Sequence, residues 1–251
     1  MLHVYFTPTP NARKVSILLE ELSLSYTPHS IDIMAGDQFT PEYLAICPNN
    51  KIPAIVDTDG PDGWPISVWE SGAILIYLAE KHGRLIPADA RTRMECLKWL
   101  MFQVAGVGPM GGQHAFFSAY AREKIPMAIE RYRSELNRQM RVMDGHLENH
   151  AFFAGQEYSI ADIAIYPWWV PISKYADASY PNLERWASTL AARPEVARGM
   201  TLLDEALRPE AIQAGMKVAM SDGVYNNLYG ESQYVADRPV ATGAPGPETH
   251  A

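Results

Sequence analysis

Cysteine is scarce in these 251 residues: only Cys47 and Cys96 occur, with no CxxC pair. That argues against a disulfide framework and against a redox cycle run by the protein's own dithiol. Basic residues are in the minority as well, 21 Lys and Arg against 29 Asp and Glu, for a formal charge of −8. Nucleic-acid binding needs a basic face, so a nucleic-acid partner is not expected. No apolar run approaches the ~18 to 20 residues that span a bilayer, so no membrane association is expected either. The first residues, Met1-Leu2-His3-Val4-Tyr5-Phe6, lack the charged start and apolar stretch of a signal peptide and read as a first strand. A reducing, cytoplasmic setting fits these features. What remains, 47% apolar and 20% charged residues, is ordinary for a globular chain with a sizeable core.

The first 83 residues mix short strands and helices. Leu2 to Phe6 is strand-like, followed by the turn cluster Thr7-Pro8-Thr9-Pro10-Asn11. Val15, Ile17, Leu18, Leu19 and Leu22 recur at helical spacing, which predicts a helix from Asn11 to Leu24. A strand is expected within Tyr26 to Ile33 and a short helix from Pro41. Ala54–Asp57 and Ile66–Trp69 form a hairpin around Asp59-Gly60-Pro61-Asp62-Gly63. A helix from Ser71 to His82 stops at Gly83. From about residue 90 the pattern is helical, over Arg91–Val104, Pro126–Asn149, Ser159–Ile172 and Leu183–Ala192. Mixed elements followed by helices alone predict an α+β chain of two domains, 1–83 and 91–206, joined by a linker at 84–90. Beyond lies an extension, 207–251, whose end is expected to be disordered because it is rich in Pro, Gly and Thr.

Three segments carry chemistry. Pro53, in Asn50-Lys51-Ile52-Pro53-Ala54-Ile55-Val56, enters a strand. It is either an edge-strand proline with no further role or a cis proline that turns the Ile52 N–H and C=O outward to pair with an extended peptide. In Trp69-Glu70-Ser71-Gly72, a serine opens a helix beside a carboxylate. This is either a simple N-cap or a site for an α-amino acid group, with the amine on Glu70 and the carboxylate at the helix start. Ser159-Ile160-Ala161-Asp162 reads as a capping box.

In this order and spacing the three segments resemble the glutathione transferase superfamily over roughly residues 1 to 205. That resemblance implies a thioredoxin-like N-terminal domain and an all-helical C-terminal domain. Finer motifs resemble the nu class, the bacterial group that contains disulfide-bond reductases: Phe6-Thr7-Pro8-Thr9-Pro10-Asn11, Gln38-Phe39, Pro48-Asn49-Asn50-Lys51-Ile52-Pro53, Gly108-Pro109-Met110 with Gln113, and Ile129-Glu130-Arg131-Tyr132. By that resemblance Thr9 and Asn11 face the glutathione sulfur, and Gln38 and Lys51 hold the glycyl carboxylate. Ile52, beside Pro53, pairs with the cysteinyl backbone, while Glu70 and Ser71 grip the γ-glutamyl end. Arg131 reaches the γ-glutamyl end of a neighbouring subunit's site, so a homodimer is implied. The position after the first strand carries neither the tyrosine, nor the lone serine, nor the cysteine of better-known classes.

Glutathione is then a cosubstrate, and no metal is implied. A free thiol has a pKa of ~8.5, and lowering it by two units takes about 2.7 kcal/mol. Hydrogen bonds from Thr9 and Asn11, with the helix start at Asn11, supply a shift of that order without a protein base. The other reading of the two residues is a turn and an N-cap. The thiolate attacks either a disulfide, with a second glutathione resolving the mixed disulfide, or an electrophilic carbon. Alternatives are a glutathione-dependent ether-cleaving or glutathione-removing lyase on bulky aromatic compounds, with Leu207 to Tyr234 covering the site, and a non-catalytic regulatory protein of the same fold.

Other signals are weaker. Gly106-Val107-Gly108-Pro109-Met110-Gly111 spells GxGxxG but does not follow a strand. It reads instead as a break in a long helix beside the second substrate pocket, with Gln113, His114 and Phe117 nearby. His146 and His150 have metal-ligand spacing without a third ligand and read as a solvated face. Of Tyr166, Trp168 and Trp169, some belong to the core; Tyr166 and Trp169 are the candidates to line the electrophile pocket. Cys47 and Cys96 read as small buried residues.

Overall fold

The computed structural model describes residues 1–206 and 221–233. Its mixed part is a four-stranded sheet in the order β2-β1-β3-β4. Strand β1 (Leu2–Phe6) runs parallel to β2 (Tyr26–Ser30) and antiparallel to β3 (Ala54–Asp57), which pairs antiparallel with β4 (Ile66–Trp69). Strand β1 buries Leu2, Val4 and Phe6 on alternate positions, as a period of two demands. Pro28 lies in β2, an edge strand, where its missing N–H does no harm. The sheet and its connections form the thioredoxin-like fold.

Helices α1 (Pro10–Leu22), α2 (Pro41–Ile46) and α3 (Ser71–His82) belong to this half of the sequence. The helical half contains α4 (Ala90–Phe102), α5 (Gly108–Ala115), α6 (Pro126–Leu147), α7 (Ile160–Ile172), α8 (Pro181–Ala191) and α9 (Pro194–Ala206). A further helix, α10 (Asp222–Tyr229), follows. Two compact units emerge. One comprises Met1–Ala12, Leu24–Ile74 and, of the described residues, those from Leu202 on; the other comprises Arg13–Ser23 and Leu75–Thr201. The units are thus not contiguous in sequence, since most of α1 and α3 group with the helices.

Inside the helical unit, α7 is apolar almost all round and buried from Ile160 to Pro167, as a central helix must be. Its start is a closed network. The Asp162 carboxylate accepts from the Ser159 N–H at 3.0 Å, the Phe153 N–H at 3.0 Å and the Trp186 indole N–H at 2.9 Å. The Ser159 hydroxyl also donates to it at 3.1 Å, and its oxygen accepts from the Ala161 N–H at 3.3 Å. The capping box expected from Ser159 and Asp162 is therefore formed.

The expected break at Gly106–Gly111 is absent. A π turn over Gln103–Val107 leads straight into α5, with the Gly108 N–H donating to the Gln103 carbonyl. The wider i→i+5 ring absorbs the misfit there, and Pro109 follows it in the first turn of α5. The helix bends its bonding instead of stopping. A second π turn, Phe116–Tyr120, follows α5. Among the described residues no helix is long and apolar enough to cross a membrane. The expected disorder from Ala236 on lies outside the described residues, as do 207–220 and 234 of the segment expected to cover the site.

Candidate active site

In the sheet unit, the segment before β3 is shaped by α2. Thr40 caps that helix by accepting from the Tyr43 N–H at 3.3 Å. One turn later the Tyr43 hydroxyl donates to the Lys51 carbonyl at 2.6 Å, and the Cys47 thiol lies 3.3 Å from the same oxygen. Ile31, Tyr43, Cys47 and Ala54 form a small core on which Ile52 packs. Asn50 takes a left-handed conformation at φ 48°, and the Ile52–Pro53 bond is cis. Among the described residues, no hydrogen bond engages the Ile52 N–H or C=O. An unpaired backbone pair at the edge of a cleft is an invitation to an extended peptide.

Opposite lies the start of α3. Glu70 sits at φ 71°, in the left-handed region that a glutamate occupies only under strain. Its carboxylate is exposed and has the Asn49 amide 3.5 Å away, a long contact. Ser71 is buried at the first position of α3, where the helix dipole favours an anion. A cleft of about 180 Å³ joins these parts and brings together Asn11, Lys51, Ile52, Pro53, Glu70 and Ser71, six of the residues singled out in the sequence. Cys47, Asn49 and Trp69 complete its wall. The motif Pro48-Asn49-Asn50-Lys51 pointed next to the first two, but nothing in the sequence singled out Trp69 from other strand aromatics.

Thr9 is placed differently. Its hydroxyl oxygen accepts from the Ala12 N–H at 3.3 Å, so it caps α1; the bond uses a lone pair and leaves the hydroxyl proton to donate elsewhere. Gln38 is buried, and its amide N–H groups donate to the Ile33 and Asn227 carbonyls, each at 3.2 Å. Lys51 donates to the Gln233 side-chain oxygen at 2.6 Å.

In the helical unit, Arg131 is exposed on α6, 3.7 Å from Glu135. Gln113 is exposed on α5, whereas His114 is buried against Tyr175, with ring centres 4.2 Å apart. Phe117 stacks on Tyr132 at 5.6 Å. Tyr166 and Trp169 are buried, Tyr166 edge-on to Trp186 at 6.0 Å. His146 and His150 stack on each other at 4.2 Å, and each ring bonds a carbonyl, of Phe153 and His146 respectively. They are a packing element rather than a solvated face.

Both cysteines are free and buried. Burial pushes the Cys47 and Cys96 thiols up from their ordinary value, so each is a poor source of thiolate. The cleft offers an extended peptide an unpaired backbone pair, a carboxylate and a helix start, and neither of the chain's own thiols is poised as a nucleophile.

The family model for the glutathione S-transferase N-terminal domain matches residues 9–81, and that for the C-terminal domain matches residues 109–194. The disulfide-bond oxidoreductase YfcG of Escherichia coli is 46% identical over 214 residues, 84% of this chain and 98% of that protein. A glutathione transferase from Burkholderia graminis, solved with two glutathione molecules per subunit, superposes with a TM-score of 0.76 at 45% identity, covering 80% of this chain and 87% of that one. One from Pseudomonas putida, solved with one glutathione disulfide per subunit, gives a TM-score of 0.76 at 41% identity, covering 80% and 91%.

Proposed function

Because this chain belongs to the glutathione S-transferase family, we propose that it uses glutathione as a cosubstrate to reduce disulfides. One observation carries the reading. The unpaired Ile52 backbone, the strained Glu70 and the α3 start at Ser71 face one cleft, with Asn11 at its edge. An extended tripeptide fits this with its cysteinyl backbone on Ile52 and its γ-glutamyl amine and carboxylate on Glu70 and Ser71. Its glycyl carboxylate goes toward Lys51 and Gln38. Asn11 and the Thr9 hydroxyl donate to the sulfur.

The chemistry follows from the buried cysteines. The bound thiolate attacks one sulfur of the substrate disulfide, and the other sulfur leaves as a thiolate that takes up a proton. A second glutathione attacks the mixed disulfide, giving glutathione disulfide and the second substrate thiol. Two glutathiones are oxidised and one disulfide is reduced. The relative named as a disulfide-bond oxidoreductase, and the solved structures with two glutathiones or with glutathione disulfide, favour this over transfer to carbon, which the same thiolate also permits.

The reading extends to organisation. Residues 1–83 serve as the glutathione-binding domain and 91–206 as the helical one, joined at 84–90, in keeping with the two matched segments. The working form is a homodimer in which the exposed Arg131 reaches the partner's γ-glutamyl site. A reducing cytoplasm suits the two free thiols. Gln113, His114, Phe117, Tyr166 and Trp169 are the residues proposed for the second substrate.

Glutathione-dependent turnover of a small model disulfide, an aryl halide and an aryl ether tests the proposal. Disulfide reduction should dominate. Turnover of the ether alone would replace it with the lyase reading, and glutathione binding without any turnover would replace it with a regulatory protein.

A further inference from the structure

Two residues from the far end of the chain occupy the groups assigned to the glycyl carboxylate. The Lys51 ammonium donates to the Gln233 side-chain oxygen at 2.6 Å, across 182 positions of sequence. The Gln38 amide donates to the Asn227 carbonyl at 3.2 Å, and the Gln233 amide donates to that same carbonyl. The segment is anchored independently of these contacts. Asn227 donates through its side chain to the Met34 carbonyl at 2.8 Å. Gly36, at φ 98°, makes room for it, since a Cβ there would come within 3.2 Å of the Asn227 amide nitrogen. Gln233 itself is set by a turn, its N–H donating to the Gly230 carbonyl at 3.0 Å. Both residues lie outside the matched stretches 9–81 and 109–194.

We propose that Gln233 is a built-in stand-in for the glycyl carboxylate, which glutathione displaces on binding and which thereby sets affinity and preference at that end of the cleft. This rests on the reading of Lys51 as a glycyl partner; Gln38 stays on the Asn227 carbonyl, which belongs to the anchor. The chemistry gives the direction. A neutral amide oxygen on an ammonium is exchanged for a carboxylate, whose charge-assisted bond is roughly twice as strong. A ligand with a C-terminal glycine gains by the exchange but loses part of the gain to the departing Gln233. A ligand without that glycine leaves Gln233 where it is. The plug therefore narrows the advantage of glutathione over its shorter precursor, γ-glutamylcysteine. Asn227 is the anchor and Gln233 the plug, so the plug can be changed while the anchor stays.

Calorimetric titration of the full chain with glutathione and with γ-glutamylcysteine tests this. Gln233→Ala should bind glutathione about three- to tenfold more tightly, the worth of one such hydrogen bond, and the dipeptide as before. Gln233→Glu, which places a carboxylate on Lys51, should bind glutathione about fivefold more weakly than the natural chain. Unchanged or weaker glutathione binding by Gln233→Ala overturns the proposal, as does an equal gain for both peptides, which would make the segment a general cover. The underlying reading is tested apart: Lys51→Ala should weaken glutathione and spare the dipeptide. If it spares both, the glycyl assignment falls, whatever Gln233 does.

Discussion

The starts of α7 and α3 each combine a serine with an acid. At α7, Ser159 and Asp162 are buried and bonded to each other, and the carboxylate collects three N–H groups and a hydroxyl from three parts of the unit. At α3, Glu70 is exposed and strained, and Ser71 borders a cleft. The same residue types thus do opposite work. Where every donor and acceptor is matched internally, the pair is stability; where the backbone is held off its comfortable region and the charge faces solvent, the proposed ligand is what that strain would serve.

The largest expected effect breaks the first half of that contrast. Asp162→Ala orphans the Phe153 and Ser159 N–H groups and the Trp186 indole in the interior. It should cost about 3 to 5 kcal/mol of unfolding free energy, read from denaturant curves. A loss below about 1 kcal/mol would mean that the network is ornamental.

Next in size, Asn11→Ala should lower disulfide turnover by about 10- to 100-fold, the loss of one bond to a thiolate, while the glutathione dissociation constant moves by less than about threefold. Equal losses in both would reduce Asn11 to a turn residue. Thr9→Ala removes the α1 cap as well, and should therefore lower stability by about 1 kcal/mol in addition to slowing turnover.

Glu70→Gly sharpens the second half. Relief of the left-handed strain should raise stability by up to about 1 kcal/mol, while glutathione binding weakens about tenfold or more. Ser159→Gly at the other start should lower stability and leave affinity alone. If Glu70→Gly destabilised the chain, the strain argument would be wrong.

The smallest effect concerns pH. Burial lowers the pKa of His146 from its ordinary value, with the nearby His150 adding to it. The unfolded chain then takes up its proton first, so stability is complete above about pH 6.5 and is lost as the pH falls below it. His146→Phe should flatten the difference in unfolding free energy between pH 7.5 and 5.5; an unchanged slope would assign it to other groups.

Local signals read well in the sequence. The strand-like run Leu2–Phe6 located β1, the Asp59–Gly63 turn located the hairpin, and the spacing of Ser159 and Asp162 located their capping box, because each depends on residues within a few positions. Six cleft residues were legible by resemblance, as each carries its motif in a short segment. Three features were not. Gly106, Gly108 and Gly111 look like a helix break, but Gly108 and Gly111 pack closely against side chains, Trp168 among them, and the chain stays helical by widening to a π turn. Thr9 looks like a sulfur ligand and a cap alike, and only geometry shows the cap. The contacts of Gln38 and Lys51 with Asn227 and Gln233 span 182 to 189 positions and leave no periodic or motif trace.

A crystal structure of the full chain with glutathione bound tests the central claim most directly. The cysteinyl residue should lie antiparallel to Ile52, sharing two backbone hydrogen bonds, with the γ-glutamyl group at Glu70 and Ser71 and the sulfur within bonding reach of Asn11. Glutathione bound in the reverse direction, or outside the cleft beside Pro53, would contradict it.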